Sequence, residues 1–367
     1  MLWLPLVLAC KPEPYAELRE QGVDQYLGQV EPVASTEEDG IVSHRFDPND
    51  GPQCLYGDEF HTMVRDQGHG NLVVFLQGGG LCTSDLCIAV TTGGPGIPTI
   101  DILDPDLAIN PVASWDHVYV PYCDGSLFGG DVQIDDDGDG SPDRIHHGLR
   151  NLSAAMDVAK SMFPAPSRVL VAGSSGGGYG TLPAAVLARW SWPDTELLVF
   201  NDAGIGLGMD RDPTFIWSII EEFHAERIVP ASQSHLLDGG HLSPLVGWQL
   251  DEDPNLRVSA FSTLQDYVIS QIYLGVESDD FESWLVQEVD ALHSRHPERY
   301  QSFIADGTFH TTLLGDPSGF LDADSAYTEL LEELLGGMDE TAIDSVTVAD
   351  WMDHFLDEDV RWISLRD

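Results

Sequence analysis

Residues 173–177 read Gly-Ser-Ser-Gly-Gly and fit the pattern G-x-S-x-G. In that pattern the central residue, here Ser175, sits on a sharp strand-to-helix turn, and small neighbours keep its hydroxyl clear of the backbone. A serine so placed can attack an acyl carbonyl, provided that backbone N–H groups receive the oxyanion and a histidine takes the proton. The context fits: the apolar run RVLVAG precedes the motif and a helix-compatible stretch follows it. The rival is a glycine-rich phosphate loop, but no lysine follows the glycines as a Walker-type site requires.

The residue after the nucleophile, Gly176, offers one N–H to the oxyanion. The others are expected from the loop after an earlier strand, where Gly78-Gly79-Gly80 stands. In this arrangement the acid and the histidine follow the serine in that order. His310 ends an apolar run through a Gly-containing turn and is the preferred base. The other downstream histidines are His224, His235, His241, His293, His296 and His354. His224, His293 and His354 lie in helix-like stretches, and His235 and His241 come before the fifth strand. Asp266 follows that strand and is the preferred acid, which would orient the imidazole. Asp202, ending the fourth strand, is its rival, either as acid or as a carboxylate that shapes the pocket by bonding backbone N–H groups.

Elements that could position these residues recur along the chain. Strand candidates are 71–77, 117–122, 168–173, 196–201, 256–262 and 300–305, and stretches 149–163 and 179–190 have helical spacing. Short buried strands alternating with helices predict an α/β fold with a mostly parallel sheet covered on both faces. Such sheets gather function at the carboxyl ends of their strands, and the chemistry-bearing residues above all follow a strand. Residues 205–250 read as a cap insertion, with Phe215, Trp217 and Trp248 offered as apolar walls or as ordinary core.

Residues 135–143, Asp-Asp-Asp-Gly-Asp-Gly-Ser-Pro-Asp, resemble the start of a calcium loop. Asp135, Asp137 and Asp139 alternate, Gly140 stands at the turn, and Asp143 could reach a cation through water. The glutamate expected at the twelfth position is replaced by His146. The bland alternative is a solvated acidic loop.

The formal net charge is −46, from 62 acidic and 16 basic residues, and 43% of the 367 residues are hydrophobic. That surface repels phosphates and anionic lipid heads, which excludes nucleic acid as a primary partner. It also suits salty surroundings. The length supports one catalytic domain, 51–367, and a monomer is the expectation. Residues 1–10 form a short apolar run ending in Cys10. Val7-Leu8-Ala9-Cys10 resembles a bacterial lipobox, so export with lipidation of Cys10 is the expectation, and 11–50 reads as a polar tether and N-terminal extension. Four further cysteines, Cys54, Cys82, Cys87 and Cys123, allow three disulfide pairings. The closeness of Cys82 to Cys87 favours that bridge and leaves Cys54 with Cys123. None forms the C-x-x-C knuckle of a zinc site.

These segments together resemble the pectin acetylesterase/Notum family of carboxylesterases. The matching pieces are Phe75-Leu76-Gln77-Gly78-Gly79-Gly80-Leu81-Cys82, Val120-Pro121-Tyr122-Cys123, Ala172-Gly173-Ser174-Ser175-Gly176-Gly177-Gly178-Tyr179-Gly180 and Asn201-Asp202-Ala203-Gly204, with the segments around Asp266 and His310. The resemblance implies an α/β-hydrolase fold, a Ser175–Asp266–His310 triad, and an oxyanion hole from Gly79, Gly80 and Gly176. It also implies export and ester hydrolysis with no cofactor. Known members remove acetyl groups from pectin or a fatty acyl group from a secreted signalling protein. Two departures stand near the expected mouth of the site. Asp124-Gly125-Ser126 carries serine where the family usually carries aspartate, and the acidic loop is an insert. A −46 protein also gains no long-range attraction to de-esterified pectin, a polyanion. The expected activity is hydrolysis of an acyl ester, acetyl first, on a carbohydrate or lipid-like partner. A lipase-like deacylase of longer chains is the alternative, and a non-catalytic binding protein of the same fold comes last.

Overall fold

The computed structural model describes residues 13–314 and 334–367. The expected signal and Cys10 lie outside the described residues. Ten strands form the central sheet: β1 (Ala34–Glu38), β2 (Ile41–Arg45), β3 (His61–Arg65), β4 (Leu72–Leu76), β5 (Asp116–Val120), β6 (Arg168–Ser174), β7 (Glu196–Asp202), β8 (Leu256–Thr263), β9 (Tyr300–Ala305) and β10 (Leu365–Arg366). Their order is β1-β2-β3-β5-β4-β6-β7-β8-β9-β10. The first three and β5 pair antiparallel, and every pair from β5–β4 onward is parallel. This is the α/β-hydrolase-like arrangement expected.

Among the described residues seven α-helices accompany the sheet: α1 (Ala16–Glu20), α2 (Gly148–Met162), α3 (Gly176–Ser191), α4 (Pro213–Glu222), α5 (Ser243–Glu252), α6 (Ser278–Arg295) and α7 (Val348–Leu356). All five residues of β4 are buried, as a parallel strand covered on both faces demands. Their alternation divides them between two cores. Leu72, Val74 and Leu76 pack with α2, α3 and α6 side chains, whereas Val73 and Phe75 join Trp351, Met352 and Phe355 of α7 on the other face. Among the described residues no helix is long and apolar enough to cross a membrane.

Two expectations change. The stretch read as a polar tether packs onto the domain from residue 13 onward. Tyr15, Leu18, Val23 and Phe46 are buried, and β1 and β2 extend the sheet at its edge. The misreading has a physical cause. Strand β1, Ala-Ser-Thr-Glu-Glu, is almost wholly exposed, because an edge strand is kept polar and charged to discourage pairing with other chains. Helix α3 also begins three residues earlier than its spacing suggests, since its first turn is three glycines, poor helix formers.

Both disulfides form as favoured, Cys54–Cys123 and Cys82–Cys87. The first ties the segment after β2 to the end of β5. The second closes a hairpin of strands Gly80–Cys82 and Cys87–Ala89.

Candidate functional site

Strand β6 delivers Ser175 to the carboxyl edge of the sheet, and α3 starts at the next residue. Ser175 has φ 55° and ψ −120°, a conformation that L-residues avoid. Two main-chain bonds hold it there: its N–H donates to the Asp202 carbonyl at 2.8 Å, and its carbonyl accepts from Tyr179 N–H at 3.1 Å. The turn passes close to β4. A Cβ on Gly177 would lie 2.1 Å from the Leu76 carbonyl oxygen, so only glycine fits there.

Gly176 opens α3, where the first amides have no acceptor within the helix. A Cβ placed on Gly176 would lie 3.6 Å from Gly79 N and 3.2 Å from Gly80 O, so the two glycine loops meet beside Ser175. Gly80 has φ +85° and is pressed against the Ile88 carbonyl, a position that tolerates no side chain. Tyr122, fully buried, fixes this loop. Its hydroxyl donates to Gly80 O at 2.8 Å and accepts from Leu127 N–H at 3.0 Å. Sequence reasoning gave Tyr122 no role; the available signal was a tyrosine just past a buried strand, beyond Pro121, whose hydroxyl must find partners.

The structure brings Asp266 and His310 together. Asp266 Oδ2 accepts from His310 Nδ1 at 2.7 Å, and Oδ1 accepts from Ile269 N–H at 3.1 Å. Asp266 is fully buried and His310 nearly so. His310 Nε2 is buried and, among the described residues, makes no hydrogen bond, to Ser175 or any other. The imidazole's own segment is tied down: His310 N–H donates to Leu334 O at 2.6 Å, and Thr263 Oγ1 donates to Phe309 O at 2.5 Å.

Asp202 does not bond the imidazole. It is fully buried and accepts from Ser174 Oγ at 2.6 Å and from Thr312 and Leu313 N–H at 3.0 Å each. Burial pushes its carboxyl up to about 6, against the pull of these bonds and of nearby His310.

Beside Ser175 lies a cavity of about 90 Å³ lined mainly by apolar side chains. One wall is α4, which turns Phe215, Ile216, Ile219 and Ile220 toward it, followed by Phe223. That i, i+1, i+4, i+5 spacing is one helical face. Asp212 caps α4 by accepting from Thr214 N–H at 3.1 Å, and Pro213 occupies its first turn. Of the three cap aromatics, only Phe215 is among the lining residues. Trp248 instead packs on Tyr15 at 5.6 Å, and Trp217 lies against the main core.

Ser126 lines the same cavity and donates to Asp124 Oδ2. The departure from the family pattern thus retains a carboxylate two residues earlier. Asp124 is fully buried, and burial raises its carboxyl to about 6. His146 falls outside any cation loop, since its Nδ1 donates to the Asp124 carbonyl at 2.7 Å. In the acidic loop, Asp135, Asp137 and Asp143 bring carboxylate oxygens within 4.8 Å of one another, a span that suits hard-cation ligands. Asp139, expected among them, instead accepts from Ser141 N–H at 2.8 Å.

A family model described as Pectinacetylesterase matches residues 48–234, about half of the chain. The match includes Ser175 and Asp202, and Asp266 and His310 lie beyond it. The chain matches no curated protein.

Proposed function

The chain belongs to the pectinacetylesterase family of carboxylic ester hydrolases, and from that premise we propose that Ser175, His310 and Asp266 are its nucleophile, general base and orienting acid. The observation that carries this reading is the 2.7 Å bond from His310 Nδ1 to Asp266, which leaves a buried Nε2 unbonded for the serine proton. Catalytic hydrogen bonds are often made only in the substrate complex, so the absent Ser175 bond does not oppose it.

In the proposed cycle Ser175 Oγ attacks the ester carbonyl and its proton passes to His310 Nε2. Asp266 stabilises the imidazolium. The N–H groups of Gly79, Gly80 and Gly176 bond the oxyanion. Collapse expels the alcohol, which takes the proton from His310. Water then attacks the acyl-enzyme with His310 again as base, releasing the carboxylic acid and restoring Ser175.

The acyl side has a second reading, favoured by the apolar cavity. An acetyl group needs little of that space, whereas a longer chain buries methylenes against α4 at about 0.8 kcal/mol each, or roughly fourfold in specificity. The two disulfides and the family support export as the place of action. Anchoring through Cys10 belongs to the same proposal and is tested by lipid labelling of the expressed chain.

The test is hydrolysis of p-nitrophenyl esters from acetate to octanoate, with fluorophosphonate labelling. Wild-type protein labels and turns over, and Ser175→Ala does neither. A specificity that climbs with chain length supports the longer acyl group, and one that peaks at acetate overturns it. Absence of both labelling and turnover in the wild type removes the esterase reading altogether.

A further inference from the structure

Asp202 is costly to keep. Its carboxylate is fully buried, and among the described residues it forms no ion pair, so its charge is balanced chiefly by hydrogen bonds, with nearby His310 a smaller influence. Those bonds come from two separate parts of the site. From the nucleophile's strand, Ser174 Oγ donates to Oδ2 at 2.6 Å, and Ser174 is the register partner of Asp202 across β6 and β7. From the histidine's segment, Thr312 N–H donates at 3.0 Å to Oδ1 and 3.2 Å to Oδ2, Leu313 N–H donates to Oδ2 at 3.0 Å, and Thr312 Oγ1 reaches Oδ1 at 3.4 Å. The main chain adds a third tie, since the Asp202 carbonyl accepts from Ser175 N–H at 2.8 Å.

We propose that Asp202 is a positioning residue that sets the register between Ser175 and His310 by tying both of their segments to one carboxylate. The inference rests on the triad reading above. Asp266 fixes the direction of the imidazole from β8, but it makes no bond to the nucleophile's strand. Asp202 is what joins the two reacting side chains' backbones. Asparagine cannot replace it, because the amide has one acceptor oxygen and turns an N–H₂ toward donors that need an acceptor. A displacement of about 1 Å between such groups costs on the order of 10²-fold in rate.

The experiment compares wild type, Asp202→Asn and Ser174→Ala by steady-state kinetics across pH and by amide hydrogen exchange. Asp202→Asn is expected to lower kcat about 10²-fold with KM little changed, and to speed exchange in residues 310–313. Ser174→Ala covers the case in which Asp202→Asn fails to fold. It removes a bond to the charged carboxylate, so the carboxyl titrates at higher pH and the acid limb of kcat moves upward. His310, the titratable group facing Asp202, is retained in every protein compared, so the displacement is read relative to wild type. An active wild type with unchanged kcat and exchange in Asp202→Asn overturns the inference, as does an unmoved acid limb in Ser174→Ala. A wild type that neither labels nor turns over defeats the triad reading instead.

Discussion

Ser175 holds a backbone conformation that costs about 1–3 kcal/mol, and its neighbours repay this by fixing both its N–H and its carbonyl. This much is legible in the chain, because the glycines that the turn requires are themselves the motif. The acid was not legible in the same way. Asp202 and Asp266 each end or follow a parallel strand, and each is fully buried. What separates them is whether the carboxylate meets an imidazole or two main-chain amides, and that depends on where the chain after β9 comes to rest. Tyr122 was missed for a similar reason, since its hydroxyl serves a loop more than 40 residues earlier. The residue-scale prediction follows from the His310–Asp266 bond. Asp266→Asn keeps the volume but donates where the carboxylate accepted, favouring the wrong imidazole tautomer. A fall in kcat on the order of 10³–10⁴-fold is expected on an activated ester. A fall under tenfold would show that the bond is not used in catalysis.

At the scale of elements, parallel strands were read to within a residue or two because burial on both faces leaves unbroken apolar runs. The antiparallel flank was not, since an edge strand facing water looks like a loop in composition. The cap was anticipated as a region, yet its working face was not. The i, i+1, i+4, i+5 positions of α4 form a cavity wall, and helical periodicity alone does not say what an apolar face is packed against. The two disulfides act on different elements and should separate in experiment. Cys54–Cys123 spans 69 positions and Cys82–Cys87 only 5. Loop entropy assigns about 4 kcal/mol to the first and about 2 kcal/mol to the second. The short bridge, however, closes the hairpin that carries Gly80, and Tyr273 donates to Ile88 O across it at 3.0 Å. Replacing Cys82 and Cys87 by serine is therefore expected to reduce kcat by about tenfold or more, about 1.4 kcal/mol in barrier, with a modest drop in Tm. Replacing Cys54 and Cys123 should do the reverse. Urea titrations and ester kinetics on the two double variants give the comparison, and equal loss of activity in both would refute the division.

Across the whole molecule, the charge of −46 is a property of the surface. Most arginines are already paired with carboxylates: Arg189 with Asp253 at 2.6 Å in the interior, and Arg144 bridging Asp136 and Glu222 at 2.7 and 3.0 Å. The excess negative charge is left to repel itself, and salt screens such repulsion over a Debye length that falls from about 10 Å at 0.1 M to about 3 Å at 1 M. Thermal melts should accordingly shift upward by several degrees between 0.05 and 1 M NaCl, with no loss of esterase activity. A flat or falling Tm would mean that the charges contribute no net strain. The net charge is read directly from composition. Its arrangement is not, because the sequence cannot show which few acids are drawn inside, as Asp124, Asp202 and Asp266 are.

Ser175 follows β6, which has five strands on one side and four on the other. Ser175 therefore stands near the midline of the sheet, far from either border, where fraying would begin. Unzipping β1 or β10 loosens a border and leaves the centre undisturbed. His310 enters from nearer one border, after β9. The serine is thus the fixed point of the site, and the histidine is the part whose stillness has to be secured by its neighbours.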